Sequence, residues 1–270
     1  MTNLQTKKEL SKEYKNIKYI LTSTMRTKLI LTVYESPKNL EELRSELQKP
    51  SATILHGLKE LEAINLIKKV QKQYQLTSNG VILATNMVKL IENWVSLNNN
   101  STFWNNHYLD DIPEEFLKNM HLLKDVTYIK STTSDLSNAF NRYIKLISDS
   151  QELKIIMPIY SENHFKHIIE LLNNNKLRYL EMIISEEIMN SIKLNKDFKK
   201  ALLKNKKVKI LCIKQNLKLF LTCSHKFMSL TLFFKDGHYD DSQILIGESE
   251  NARKWGVNIF RYYEEIIDAK

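Results

Sequence analysis

The chain has 270 residues, of which 43% are apolar, so it is globular rather than disordered and long enough for one large domain or two ordinary ones. Five glycines and four prolines argue against turn-dense sandwiches and collagen-like chains and favour long helices with short connections. The formal charge is +9, and residues 1–97 hold 15 basic against 9 acidic side chains, a basic excess that attracts polyanions but needs a specific motif before it points to nucleic acid.

In chain order, Met1 to Ser11 is polar and lysine-rich, with no apolar core of a signal peptide, and no later apolar run nears the roughly 20 residues that span a bilayer. A cytoplasmic protein without a membrane partner is expected. From Thr24 to Glu35, Leu29, Ile30, Val33 and Tyr34 recur at helical spacing until Ser36-Pro37-Lys38 stops them. Asn39 and Glu42 form a capping-box pattern for a short second helix with Leu40, Leu43 and Leu47 as its buried stripe, ending near Gln48. Pro50 suits the first position of a third helix, whose Ile54, Leu58 and Leu61 share one face and leave Ala52, His56 and Lys59 on the other. Ile67 to Val70, a polar turn at Gln71-Lys72-Gln73, and Tyr74 to Thr77 read as a β-hairpin with a basic tip.

Three helices followed by a two-stranded hairpin make a winged helix-turn-helix, in which the third helix enters the DNA major groove and the hairpin lysines meet phosphates. The candidate contacts to double-stranded DNA are Ser51, Ala52, Thr53, His56, Lys59, Lys68, Lys69 and Lys72. Leu58 to Ile67, LKELEAINLI, resembles the LKELExxGLI signature of winged-helix transcriptional regulators. Asn65 stands where such regulators carry glycine, and asparagine also tolerates the left-handed backbone that position needs. Gly57 is unexpected, since glycine costs about 1 kcal/mol of helix stability relative to alanine. His56 stands where arginine is common in these regulators, so a bidentate guanine contact is missing there.

From Gly80, Ala84, Met87, Val88, Ile91, Trp94 and Val95 follow helical spacing for about four turns, and this helix is expected either to pair with its mate in a homodimer or to pack on its own winged helix. Polar turn formers at Leu97 to Ser101 place the domain boundary, which divides the chain into a DNA-binding domain, 1–97, and an α/β effector-sensing domain, 98–270. Beyond it Val126 to Lys130, Lys154 to Tyr160, Leu177 to Ile184 and Val208 to Ile213 read as extended, and Asp135 to Ser148, Glu162 to Leu172 and Glu186 to Leu203 as helical. Such alternation predicts an α/β layer with a largely parallel sheet. A hairpin, Leu217 to Cys223 against Phe227 to Phe234, and a closing helix, Ala252 to Ala269, complete the fold.

Phe103 to His107, FWNNH, and Ile112 to Leu117, IPEEFL, together with SLTLF at 229–233, DGHYD at 236–240 and AxxWG from Ala252 to Gly256, resemble the archaeal winged-helix regulators of the methanogenesis-regulatory, Fil-type, family. The resemblance covers nearly the whole chain from about residue 20. It implies an archaeal transcription factor whose C-terminal domain senses a small molecule, without naming that molecule.

The element order also resembles the phospholipase-D-like fold, whose chemistry needs a histidine, a lysine two residues later and a downstream aspartate. At the hairpin turn His225 is followed directly by Lys226, and the nucleophile arrangement is read as missing from the chain. Glycine-rich phosphate loops and a Gly-x-Ser-x-Gly elbow are absent too, so no enzyme and no cofactor are expected. His164 and His167 have helical i, i+3 spacing but no acidic or cysteine neighbour, and no metal site is assigned. Cys212 and Cys223 read as small buried strand residues. The alternative function is a protein-interaction or thiol redox-sensing module in which they form the switch, provided their strands are neighbours. Tyr160, Phe234, Tyr239 and Trp255 lie at or near strand ends, where open α/β sheets bind ligands, and form the expected effector pocket.

Overall fold

The computed structural model describes residues 11, 13–15 and 17–269; the N-terminal stretch read above for targeting lies outside them except for Ser11. Two compact units divide the chain, Met1–Ile91 and Glu92–Lys270.

In the first unit, helix α1 (Thr24–Glu35) starts where the Ser23 hydroxyl accepts from Arg26 N–H, and it buries Leu29, Ile30 and Val33. Tyr34 departs from the expected stripe: it is exposed, with its hydroxyl against Thr85 Oγ1 at 3.2 Å. Helix α2 (Leu40–Leu47) carries the capping box in full, since Asn39 Oδ1 accepts from Glu41 and Glu42 N–H and Asn39 N–H donates to Glu42. Gln48 ends it in the left-handed conformation. Helix α3 (Ser51–Ala63) begins one residue after Pro50, which is its cap rather than its first turn and accepts from Thr53 and Ile54 N–H. Asn65 takes φ 58, as its place in the signature requires.

Gly57 has a packing cause. A Cβ there would stand 2.8 Å from Leu29 Cδ1 and 3.2 Å from Met25 Cγ, so its absence lets α3 close against α1. Strands β1 (Ile67–Val70) and β2 (Gln73–Leu76) pair antiparallel around a tight turn with Gln71 at φ 56, and Lys38 adds two backbone hydrogen bonds to Tyr74. Leu29, Ile30, Leu43, Ile54, Leu58, Leu61 and Ile67 form the core of this unit, each burial contributing roughly 1.5–3 kcal/mol. Helix α4 (Ser78–Asn99) runs through the expected break at residue 97, and a further turn, Ser101–Asn106, follows it at once.

In the second unit, seven strands among the described residues form one sheet: β3 (Thr127–Lys130), β9 (Gln243–Gly247), β8 (Met228–Leu232), β7 (Leu219–Cys223), β4 (Glu152–Met157), β5 (Tyr179–Ser185) and β6 (Val208–Ile213), in that spatial order. The largely parallel sheet expected above is corrected here. Parallel pairing is confined to β4, β5 and β6, and the other four pairings are antiparallel. The cause is connection length. Helices α6 (Glu162–Asn173) and α7 (Glu186–Leu194) supply crossovers that return a strand in the same direction, whereas β7 and β8 are joined by a short turn. The long helix expected over Glu186 to Leu203 breaks at Asn195, whose side chain caps a new turn by accepting from Asp197 and Phe198 N–H.

Side-chain alternation gives the sheet two apolar faces. Ile156, Ile183, Leu221 and Leu230 pack under helix α8 (Glu250–Asp268), while Ile155, Met157 and Ile184 pack under α5 (Asn138–Ser148), α6 and α7.

Candidate functional site

On α3, Ala52, Thr53, His56 and Lys59 are exposed and Ser51 is half-buried, as expected of a face opposite Ile54, Leu58 and Leu61. The His56 side chain is 77% exposed and its Nε2 lies 3.6 Å from Glu60 Oε1. Glu60 is otherwise engaged inward. It accepts from Arg26 at 2.8 Å and from the Tyr19 hydroxyl at 2.9 Å, and these bonds hold its carboxyl below the usual carboxylate range. The acidic group on the α3 face is thus matched by a cation of its own unit.

The wing lysines are all exposed, but they do not share a direction. Successive strand residues point to opposite faces, so Lys68 and Lys69 diverge, and Lys69 Nζ lies over the Tyr74 ring, 5.3 Å from its centroid. Lys72 sits in the turn itself, between β1 and β2.

The structure does not bring the four expected effector residues together. Trp255 is 1% exposed in the core under α8, its indole N–H donating to the Phe116 carbonyl at 3.1 Å. Phe234 stacks on His107 with ring centroids 5.1 Å apart. Tyr160 lines a groove with Ser185, Ile188 and Lys218. Tyr239 alone faces the cavity on the α5/α6 side of the sheet, with a volume of about 350 Å³. Trp255 and Tyr239 belong to opposite faces, which proximity to strand ends in sequence does not reveal.

Phe140 and Tyr143 of α5, His164 of α6, Phe220 of β7 and Ser229 and Thr231 of β8 build that cavity. Ring centroids of Phe140, Tyr143 and Phe220 lie 5.0, 5.3 and 5.4 Å from the imidazole of His164. Burial first, and the neighbouring His167 second, push the His164 pKa down to about 4, so the ring is neutral at physiological pH. Its Nδ1 lies 2.8 Å from Ser161 Oγ, while His167 Nδ1 donates to the Asn163 carbonyl. Burial pushes the Tyr143 and Tyr239 phenols up, so both remain protonated.

His164-Phe165-Lys166 does carry a His-x-Lys spacing, which corrects the reading that the chain lacks one. On a helix, residues two apart diverge, and here His164 is buried while Lys166 pairs in solvent with Glu162 at 3.1 Å. The downstream position five residues after Lys166 is Leu171. Among the described residues no group of three or more His, Cys, Asp or Glu is placed to hold a metal ion. The cysteine switch is corrected too. Cys212 on β6 and Cys223 on β7 have β4 and β5 between them, about three strand spacings or ~14 Å, beyond the reach of a disulfide.

A second polar cluster lay beyond sequence reasoning. His107 Nε2 lies 2.9 Å from Asp240 Oδ2, and His107 Nδ1 meets the Phe103 carbonyl at 2.6 Å. Asp240 also accepts from Ser242, and Gln243 links it to Tyr128. Burial raises the Asp240 pKa, but hydrogen bonds from His107 and Ser242 outweigh it and hold the carboxyl low. The cluster ties the FWNNH segment to the DGHYD segment, 133 residues apart.

The profile described as "Methanogenesis regulatory protein FilR1, N-terminal domain" matches residues 14–94, and "Methanogenesis regulatory protein FilR1, middle domain" matches residues 136–266. The protein named methanogenesis regulatory protein FilR1 from Methanothrix harundinacea (strain 6Ac) is 24% identical over 258 residues, covering 93% of this chain and 57% of its own length. The chain therefore spans little more than half of that relative. Among solved structures, TrmBL2, an archaeal chromatin protein, aligns over 87% of this chain and 90% of its own at 13% identity and a TM-score of 0.40. An O-methyltransferase family protein from Burkholderia thailandensis aligns over 81% of this chain and 66% of its own at 11% identity and a TM-score of 0.26. These scores are too low to carry an activity from either protein to this one.

Proposed function

The chain belongs to the FilR1 family of methanogenesis regulatory proteins, and from that premise we propose that it is a cytoplasmic, DNA-binding transcriptional regulator with an effector-binding α/β unit. The observation that carries the reading is a three-helix core that presents one exposed α3 face beside a lysine-bearing wing. Thr53, His56 and Lys59, with Ser51 and Ala52 at the helix start, approach base edges, and Lys68 and Lys72 meet phosphates. Lys69, drawn over Tyr74, adds less. The protein acts as a homodimer through α4, which leaves Leu90 60% and Trp94 63% exposed, and a small molecule in the second unit shifts DNA affinity. We assign no catalytic step. Among the described residues no helix is long and apolar enough to cross a membrane.

The test is the salt dependence of duplex binding. Each lost phosphate contact lowers the slope of log K against log salt by about 0.9, so Lys68→Ala with Lys72→Ala lowers it by about 1.8, which is roughly tenfold over the interval from 50 to 200 mM. Lys69→Ala should change it by less than half a unit. An unchanged slope in the double variant would remove the wing from the DNA. His56→Ala should alter sequence preference, and uniform weakening on every duplex would count against base readout.

A further inference from the structure

Strand β8 is buried on both faces, yet its faces differ in chemistry. Met228, Leu230 and Leu232 join the core under α8, while Ser229 and Thr231 point to the other side, with Thr222 of β7 in register beside Ser229. A strand whose hidden face is polar needs polar partners there, because a buried hydroxyl loses its water. Thr222 has the Tyr143 hydroxyl at 3.2 Å, and Thr231 has the Tyr239 phenol. Ser229, 3% exposed, has no hydrogen-bond partner for its hydroxyl among the described residues. It opens instead onto the cavity of about 350 Å³.

The walls add aromatic area and a second open polar group. Phe140, Tyr143 and Phe220 surround the neutral His164, whose Nδ1 is taken by Ser161 and whose Nε2 has no partner among the described residues. No lysine or arginine lines the cavity among the described residues, and the charged side chain there is Asp241, which is exposed at the mouth. The N-terminal ends of α5 and α6 also face this space, and their partial positive charge would favour an anion. At α5, however, the Ala139 N–H is already taken by Ser131 Oγ, and a full negative charge at Asp241 opposes any anion that enters.

We infer that this cavity binds a small, flat, ring-bearing molecule with hydrogen-bonding groups and no negative charge, the ring between the aromatic side chains and a polar edge on Ser229 and His164. The volume is at the small end of ligand sites and suits one ring or two fused rings, about 10–20 non-hydrogen atoms. The inference gives a chemical class to the effector proposed above and rests on that reading for its regulatory meaning, whereas binding itself can be measured without DNA.

Indole-3-acetamide and indole-3-acetate are near-isosteric probes that differ in charge. Ligand-observed NMR on the full chain at neutral pH should give the amide a Kd of about 1 mM and the acetate one at least roughly tenfold weaker. Ser229→Leu, which fills the cavity, should abolish amide binding with the melting temperature retained. If that variant fails to fold, Ser229→Ala, which adds no atoms, should weaken the amide about fivefold. Asp241→Asn should leave amide binding in place and shrink the difference between the probes. Tighter or equal binding of the acetate, indifference of the amide to both Ser229 variants, or no binding of either probe at about 10 mM would overturn the proposal. Because no duplex is present, a failure here leaves the DNA-binding reading standing, and a failure of duplex binding leaves this result intact.

Discussion

Replacing His164 with glutamine should flatten the acid sensitivity of the second unit. In the folded chain the imidazole is neutral down to about pH 4, against an ordinary value of 6.5. As pH falls below 6.5 the unfolded chain takes up a proton that the folded chain refuses, so stability that is fully present above pH 6.5 is progressively lost until about pH 4. A difference of about 2.5 units corresponds to roughly 3 kcal/mol over that whole window, and to somewhat less between pH 7.5 and 4.5. Urea unfolding followed by the fluorescence of the buried Trp104 and Trp255 reports on this unit. Wild type should lose about 2–3 kcal/mol more than His164→Gln on going from pH 7.5 to 4.5. Carboxylates held low by their partners, such as Asp240, act at more acidic pH and are common to both proteins, so they cancel in the comparison. Parallel losses in the two proteins would refute the burial argument for His164.

Other perturbations separate packing from charge. Gly57→Val should lower the stability of the first unit by about 1–3 kcal/mol, because a side chain at that position must displace Leu29 from the core, and thermal unfolding of that unit measures it. Asp240→Ala should cost about 3–5 kcal/mol in urea unfolding, since it leaves buried His107 facing an empty acceptor position, whereas Asp236→Ala in the exposed turn should change stability by less than about 1 kcal/mol. Mild oxidation should yield no internal disulfide between Cys212 and Cys223, and a mass loss of two hydrogens in the monomer would contradict the strand order.

Local chemistry made the first unit readable. Asn39 with Glu42, the Ile54, Leu58 and Leu61 stripe, and the left-handed Asn65 each depend on residues a few positions apart, and the structure places them as expected. Gly57 was puzzling because its reason, Leu29, lies on another helix. The second unit depends on pairing that spacing does not encode. Strand β9 is a short apolar run after a turn with no spacing signal of its own, yet it inserts between β3 and β8 and supplies two of the sheet's four antiparallel pairings. Nearness to strand ends in sequence says nothing about face, and Trp255 and Tyr239 lie on opposite sides of the sheet. One signal was available: Ser229 and Thr231 alternate with Met228, Leu230 and Leu232, the mark of a strand with one polar face. The link between His107 and Asp240 had no local signal, because it closes a loop of 133 residues.

The central claim is that the winged helix reads DNA. Fluorescence anisotropy of the purified chain with the duplex upstream of its own coding sequence, at about 50 and 200 mM salt and against a scrambled duplex, tests it most directly. Tighter binding to the upstream duplex is expected at both salt concentrations, with affinity falling steeply between them. Equal, weak and salt-insensitive binding to both duplexes would contradict it.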